Sequence, residues 1–215
     1  QTCRTAAVQV GRGGIVAVDA GYLAAAADAA KAAVRQSAGA AEAAAFVLAT
    51  GDMREELAFY SAALDPRIAA SLVCGYFQER EDVWQEPIYR NVWGLLTEFG
   101  DAELAGLIAP RRLVIEACRA VEVAGPPPVC DGRRPSAAPG RITNNRLSSV
   151  QAEFQLAATI YRQLGKEQEL ILALSGADGL GAAGTAQALA AFAAGLGIHQ
   201  GLDAERQAWQ RAAAG

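Results

Sequence analysis

The sequence predicts an α/β domain built on a mostly parallel sheet with helices on both faces. Three observations lead there. Apolar runs of strand length recur at 46–50, 70–77, 112–118 and 169–175, and stretches of helical periodicity separate them. Those runs are continuously apolar rather than alternating, as strands covered on both sides require. At 215 residues, with 52% hydrophobic and 20% charged side chains, the chain holds enough apolar surface for one core. That composition excludes a disordered tail, a collagen-like repeat and a disulfide-stapled miniprotein. One domain over residues 1–215 is expected.

In chain order, residues 13–19 suit a short strand or a lead into a helix, and 22–36 a helix broken near Gly39. The run 46–50 ends at Gly51 as a buried strand. A helix over 53–64 is stopped by Asp65-Pro66. The strand at 70–77 follows, then a helix from an Asp101 N-cap to Ala109 with Pro110 as its stop. The strand at 112–118 comes next. A helix over 148–164 opens at Ser148 or Ser149, with Glu153 in its first turns. The strand at 169–175, a helix over 185–195 and an amphipathic tail over 203–213 complete the pattern. Alanine runs such as Ala24 to Ala27 read as helix, since alanine costs little there.

Two stretches interrupt the rhythm. Residues 77–100 carry Phe77, Trp84, Tyr89, Trp93 and Phe99 among charges, a cap-like aromatic insertion. Residues 124–146 form a Pro/Gly/Arg-rich loop. Loops of this length in a compact domain are often functional.

Net charge is −4, so no global basic field calls for nucleic acid. No run of 18 uninterrupted apolar residues occurs, so no membrane span is expected. Nor is a signal peptide expected. The chain begins at Gln1, which suggests processing or a missing start, and its compartment stays open. The cysteines Cys3, Cys74, Cys118 and Cys130 show no CxxC spacing and so no zinc or thioredoxin-type motif. Cys74 and Cys118 lie in apolar strand-like runs and read as small core hydrophobes. A Cys118–Cys130 bridge is one pairing open to the chain. No metal or cofactor is implied.

The block from Ser61 to Glu116 contains LDPRI, a GYF strand end, EPIYRNVWGLL and GDAELAGLIAPR. It resembles the dienelactone-hydrolase and acetyl-xylan-esterase-like branch of the α/β-hydrolases. The likeness continues through AGPPP, SAAPG and VQAEF, covers roughly residues 46–198, and implies the second half of that fold. The early strands, which supply one oxyanion-hole amide in that branch, have no recognisable counterpart.

The resemblance implies where a triad would stand. The branch carries its nucleophile on a G-x-S-x-G turn. Here the turn falls on Thr50-Gly51-Asp52-Met53-Arg54, with Asp52 in the serine's place. The acid's loop falls on Ala117-Cys118-Arg119-Ala120, with Glu116 before it in the strand and Glu122 beyond. The histidine's turn falls on Ser175-Gly176-Ala177-Asp178-Gly179, where Asp178 stands near the histidine's position. Serine hydrolysis needs a base near neutral pKa, and the one histidine of this sequence is His199, past the last strand. An Asp52 nucleophile would still need a base to activate water. Asp178 would serve only with its pKa raised by burial.

Other candidates have plainer readings beside them. Gly179-Leu180-Gly181-Ala182-Ala183-Gly184 is a G-x-G-x-x-G between strand and helix, a possible pyrophosphate turn or a chance match in an Ala/Gly-rich chain. Trp84, Tyr89 and Trp93 suit a cleft or a small core of their own. Glu79, Glu81, Asp82 and Glu86 read as paired carboxylates or as a solvated face. The arginines Arg111, Arg112, Arg133, Arg134, Arg141 and Arg146 read as an anion or partner patch, or as dispersed charge.

The reading preferred on these grounds is a degenerate, hydrolase-like, non-catalytic subunit that binds a protein partner or a second copy of itself. The alternative is a carboxylic-ester hydrolase using Asp52, Glu116 or Glu122, and Asp178 or His199. The third is nucleotide binding through the glycine-rich turn.

Overall fold

The computed structural model describes residues 8–10, 13–18, 45–49, 54–92, 94–126, 130–131 and 139–197. Its main strands are β1 (Val8–Val10), β2 (Gly13–Val18), β3 (Ala45–Ala49), β4 (Ile68–Cys74), β5 (Arg112–Ala117) and β8 (Leu170–Leu174). They form one sheet in the order β1-β2-β3-β4-β5-β8. Only β1 runs antiparallel to its neighbour. Two short strands, β6 (Val123–Ala124) and β7 (Arg141–Ile142), make an antiparallel ladder across the Pro/Gly/Arg-rich stretch. The helices are α1 (Arg54–Leu64), α2 (Asp101–Ile108), α3 (Leu147–Gln163) and α4 (Ala186–Gly195). Among the described residues no helix is long and apolar enough to cross a membrane.

The α/β expectation of a mostly parallel sheet with helices on both faces is met. Alternate strand residues feed two cores. On one face Val73, Leu113, Ile115 and Leu170 pack against Phe59 of α1, Ile108 of α2 and Tyr161 of α3. On the other, Leu72, Cys74, Val114 and Ala173 pack against Ala188 and Phe192 of α4. This two-sided burial is why β4, β5 and β8 are apolar at most positions. The helices expected at 22–36 and 203–213 lie outside the described residues.

The boundaries differ from expectation where side chains find distant partners. The strand expected at 70–77 begins at Ile68 and ends at Cys74. Gly75 ends it with a φ of +69°, a conformation that favours glycine, and a Cβ there would lie 3.2 Å from the Cys118 carbonyl oxygen. Asp101 is not the N-cap of α2. Gly100 holds that place, and Asp101 is drawn away to Arg80 and the Gln78 amide. Instead, Glu103 accepts from the Gly100 amide at 2.7 Å, and Glu153 of α3 accepts from the Ala102 amide at 2.7 Å. Neither serine caps α3: Arg146 is its N-cap residue, and the Ser149 hydroxyl accepts from the Glu79 amide.

The excursion at 77–100 folds into three short 3₁₀ turns, 83–85, 88–90 and 95–97. Buried arginines anchor it. Arg80 Nε lies 3.0 and 3.1 Å from the two oxygens of Asp101, and Arg80 also donates to the Tyr76 carbonyl at 2.7 Å. Its guanidinium stands 3.6 Å over the Tyr76 ring, with Arg90 at 5.0 Å. Glu86 pairs with both arginines, at 3.4 Å to Arg80 and 3.0 Å to Arg90; the second contact is off the line of a hydrogen bond. Thus Glu79, Glu81 and Asp82 are solvated, while Glu86 belongs to the buried charge cluster. Trp84 stays 60% exposed.

The residues that carry the family resemblance also include framework. Arg111, from the APR segment, donates to the carbonyls of Ala62, Asp65, Ile68 and Leu107. It thereby joins the end of α1, the turn into β4 and the end of α2, where free carbonyls need donors. Asp65 of LDPRI accepts from Arg67, which holds its carboxyl down at about 2.

The Arg80–Asp101 pair sets a stability test. Asp101→Ala leaves a guanidinium buried beside an empty space and should cost about 3–5 kcal/mol. Asp101→Asn keeps an acceptor and should cost less. Urea midpoints of the two variants check this, and equal midpoints would contradict it.

Candidate functional site

Parallel register brings the chemistry-bearing residues to one place. Cys74 is the last residue of β4 and pairs with Glu116 of β5, which pairs in turn with Ala173 of β8. The ends of β4 and β5 open onto a small pocket lined by Gly75, Phe77, Glu116, Ala117, Cys118, Asn145, Leu147, Val150 and Gly179. The carboxyl ends of parallel strands are the usual place for a ligand in an open α/β sheet.

Glu116 is 1% exposed. One carboxylate oxygen accepts from the Gly184 amide at 2.7 Å and the other from the Thr185 amide at 2.8 Å. These amides begin α4, whose own N-cap, Thr185, accepts from Ala188 at 3.3 Å. The carboxylate therefore docks the positive end of α4 onto the sheet. Among the described residues no arginine or lysine shares the Glu116 charge.

Asp178 is exposed in the turn after β8, and its carboxylate accepts from the Leu180 amide at 3.0 Å. Glu122 is exposed between β5 and β6. No hydrogen bond joins Asp178 or Glu122 to Glu116 among the described residues. Asp52 and His199 lie outside those residues.

The glycine-rich turn has a structural occupation for each of its glycines. Gly179 packs on Ala117, and a Cβ on Gly181 would fall 2.8 Å from the Ser175 carbonyl carbon. Gly181 also donates to the Ser175 oxygen at 2.7 Å and accepts from the Arg119 amide at 2.9 Å. Gly184 gives its amide to Glu116. The amides of Gly184 and Thr185, which a pyrophosphate would seek, already hold a carboxylate.

Two groups had no signal in the linear sequence. Asn145 donates to the carbonyls of Gly75 and Phe77, fixing the end of β4, while Asn144 accepts from Ala120. The buried thiols of Cys74 and Cys118 lie beside Glu116, with the three possible ligand atoms within 4.8 Å of one another. The Cys74 thiol is raised well above its ordinary range by its hydrogen bond with Cys118, then by burial and the nearby Glu116 charge. Cys118 is free, and Cys130 is an exposed free cysteine, so the Cys118–Cys130 bridge does not form. The end of β5 turns Cys118 into the core, beside Cys74.

The Glu116 cap can be tested directly. Glu116→Gln replaces one acceptor by an amide that faces another N–H donor. The variant should lose about 3 kcal/mol of stability, measured by thermal or urea unfolding. A change under about 0.5 kcal/mol, the ordinary range for a surface site, would show that the bond pair does not hold α4.

No family model matches the chain, and no curated protein matches it. Among solved structures it is similar to a carbohydrate esterase family 15 glucuronoyl esterase from Caldicellulosiruptor kristjansonii, at 18% identity and a TM-score of 0.40. The match covers 69% of this chain and 43% of that one, so the chain spans less than half the length of that esterase.

Proposed function

We propose that this chain is a non-catalytic, hydrolase-like α/β subunit whose role is to bind a protein partner or another copy of itself. The observation that carries the reading is the state of Glu116. The resemblance points to this region for a triad acid, yet both Glu116 oxygens are engaged by the first amides of α4. A triad acid must instead hold a general base in its working orientation. The turn expected to supply that base offers Asp178, an exposed carboxylate directed onto the neighbouring Leu180 amide. An exposed carboxylate is a poor base for water near neutral pH.

The excursion supports a binding role. It presents Trp84 at 60% exposure and Ile88 at 75%, with Val92 and Leu96 also exposed. Buried charges fix its backbone, so its apolar side chains are displayed from an ordered support. Such exposed apolar side chains are the usual material of protein contacts.

The test is turnover of p-nitrophenyl acetate at neutral pH by the purified chain, beside Asp52→Ala and Asp178→Ala. The expected rate is that of buffer in all three. Turnover by the parent that either substitution abolishes would replace this reading with that of a carboxylic-ester hydrolase.

A further inference from the structure

We propose that Cys74, Glu116 and Cys118 form a binding site for one zinc-class divalent cation, at the carboxyl ends of β4 and β5. The three side chains are buried, and their candidate ligand atoms lie within 4.8 Å of one another. Tetrahedral zinc with sulfur at about 2.3 Å and oxygen at about 2.0 Å spaces its ligands about 3.5–3.8 Å apart. Closing onto the ion therefore asks for side-chain movements of about an ångström or less.

Two further observations point to a cation. Glu116 is a buried carboxylate answered by two backbone amides and, among the described residues, by no cationic side chain. Those amides also fix its orientation, the task that outer partners perform for a metal-bound carboxylate. Each oxygen keeps a second lone pair for a metal. Secondly, Glu116 and Cys118 are among the residues that line the small pocket at the strand ends.

The balance is simple. The ion displaces one proton from each thiol to solvent and forms two metal–sulfur bonds and one metal–oxygen bond. Two thiolates, one carboxylate and a divalent ion leave a net charge of −1, facing the amides at the start of α4.

The experiment uses the full chain carrying Cys3→Ser and Cys130→Ser, reduced and freed of metal. Cobalt(II) is titrated in, then zinc(II). Expected are one equivalent of cobalt, a near-ultraviolet sulfur-to-cobalt charge-transfer band, intense visible bands of tetrahedral cobalt, and bleaching of both by zinc. Cys74→Ser and Cys118→Ser, with circular dichroism checked, should each lower cobalt affinity by about 100-fold or more, beyond the loss of an outer partner. X-ray absorption of the zinc-loaded parent needs no core substitution and should show two sulfur neighbours at about 2.3 Å. A weak octahedral cobalt spectrum, a zinc shell without sulfur, or tight binding that survives both serine substitutions would overturn the assignment. These readouts register metal and not turnover, so this site and the non-catalytic reading fail separately.

Discussion

The bond pair from Glu116 to Gly184 and Thr185 is the constraint on which the strand-end region depends. A carboxylate in the middle of a parallel sheet is costly to bury unless its charge is answered. Here the answer comes from a helix start, where unpaired amides and the helix dipole meet a negative charge. The contact reaches across 68 and 69 residues of sequence. It sets where α4 begins, and it closes the face on which Cys74 and Cys118 are buried. The glycine-rich turn before α4 follows from it. Gly181 must pass against Ser175, and Gly184 must bring its amide to the sheet.

The same device recurs at α2, on the other face. Glu153 of α3 takes the Ala102 amide, and Glu103 takes that of Gly100. Asp101 is thereby left for Arg80. Burial raises the Glu153 pKa, while the Ala102 amide pulls it back. In both cases a carboxylate from another element performs a task that local capping usually performs. Helices tied in this way are positioned by long-range contacts, and their starts move with the tertiary structure.

This explains what the sequence made legible. Four of the sheet's strands, at 46–50, 70–77, 112–118 and 169–175, were readable as continuous apolar runs, while 13–19 stayed open between a strand and a lead into a helix. Helix stops at Asp65-Pro66 and near Pro110 were readable because proline acts locally. Helix starts were less so: Asp101, Ser148 and Ser149 look like caps, but Arg80 and the Glu79 amide recruit two of them. The partners of Glu116 were hidden because strand register and a helix approaching from far along the chain decide them. Cys74 and Cys118 are 44 residues apart in sequence, so no spacing rule joins them; two adjacent parallel strands do. The resemblance was carried partly by residues such as Arg111 and Asp65, whose work is to close turns and helix ends.

The residues that fold this scaffold and the groups at its strand ends answer to different physical constraints. Arg111 and the Arg80–Asp101 pair depend on backbone geometry and buried charge, and removing either partner exposes a desolvated group to its full penalty. A solvent-exposed position carries no such penalty, and Asp178 can stand in solvent at little cost. Glu116 lies between these cases. It is deep enough to require hydrogen bonds and close enough to the pocket to meet a ligand. Its oxygens satisfy α4 along one direction and keep lone pairs along others, so fixing the helix and holding a cation are compatible uses of one carboxylate.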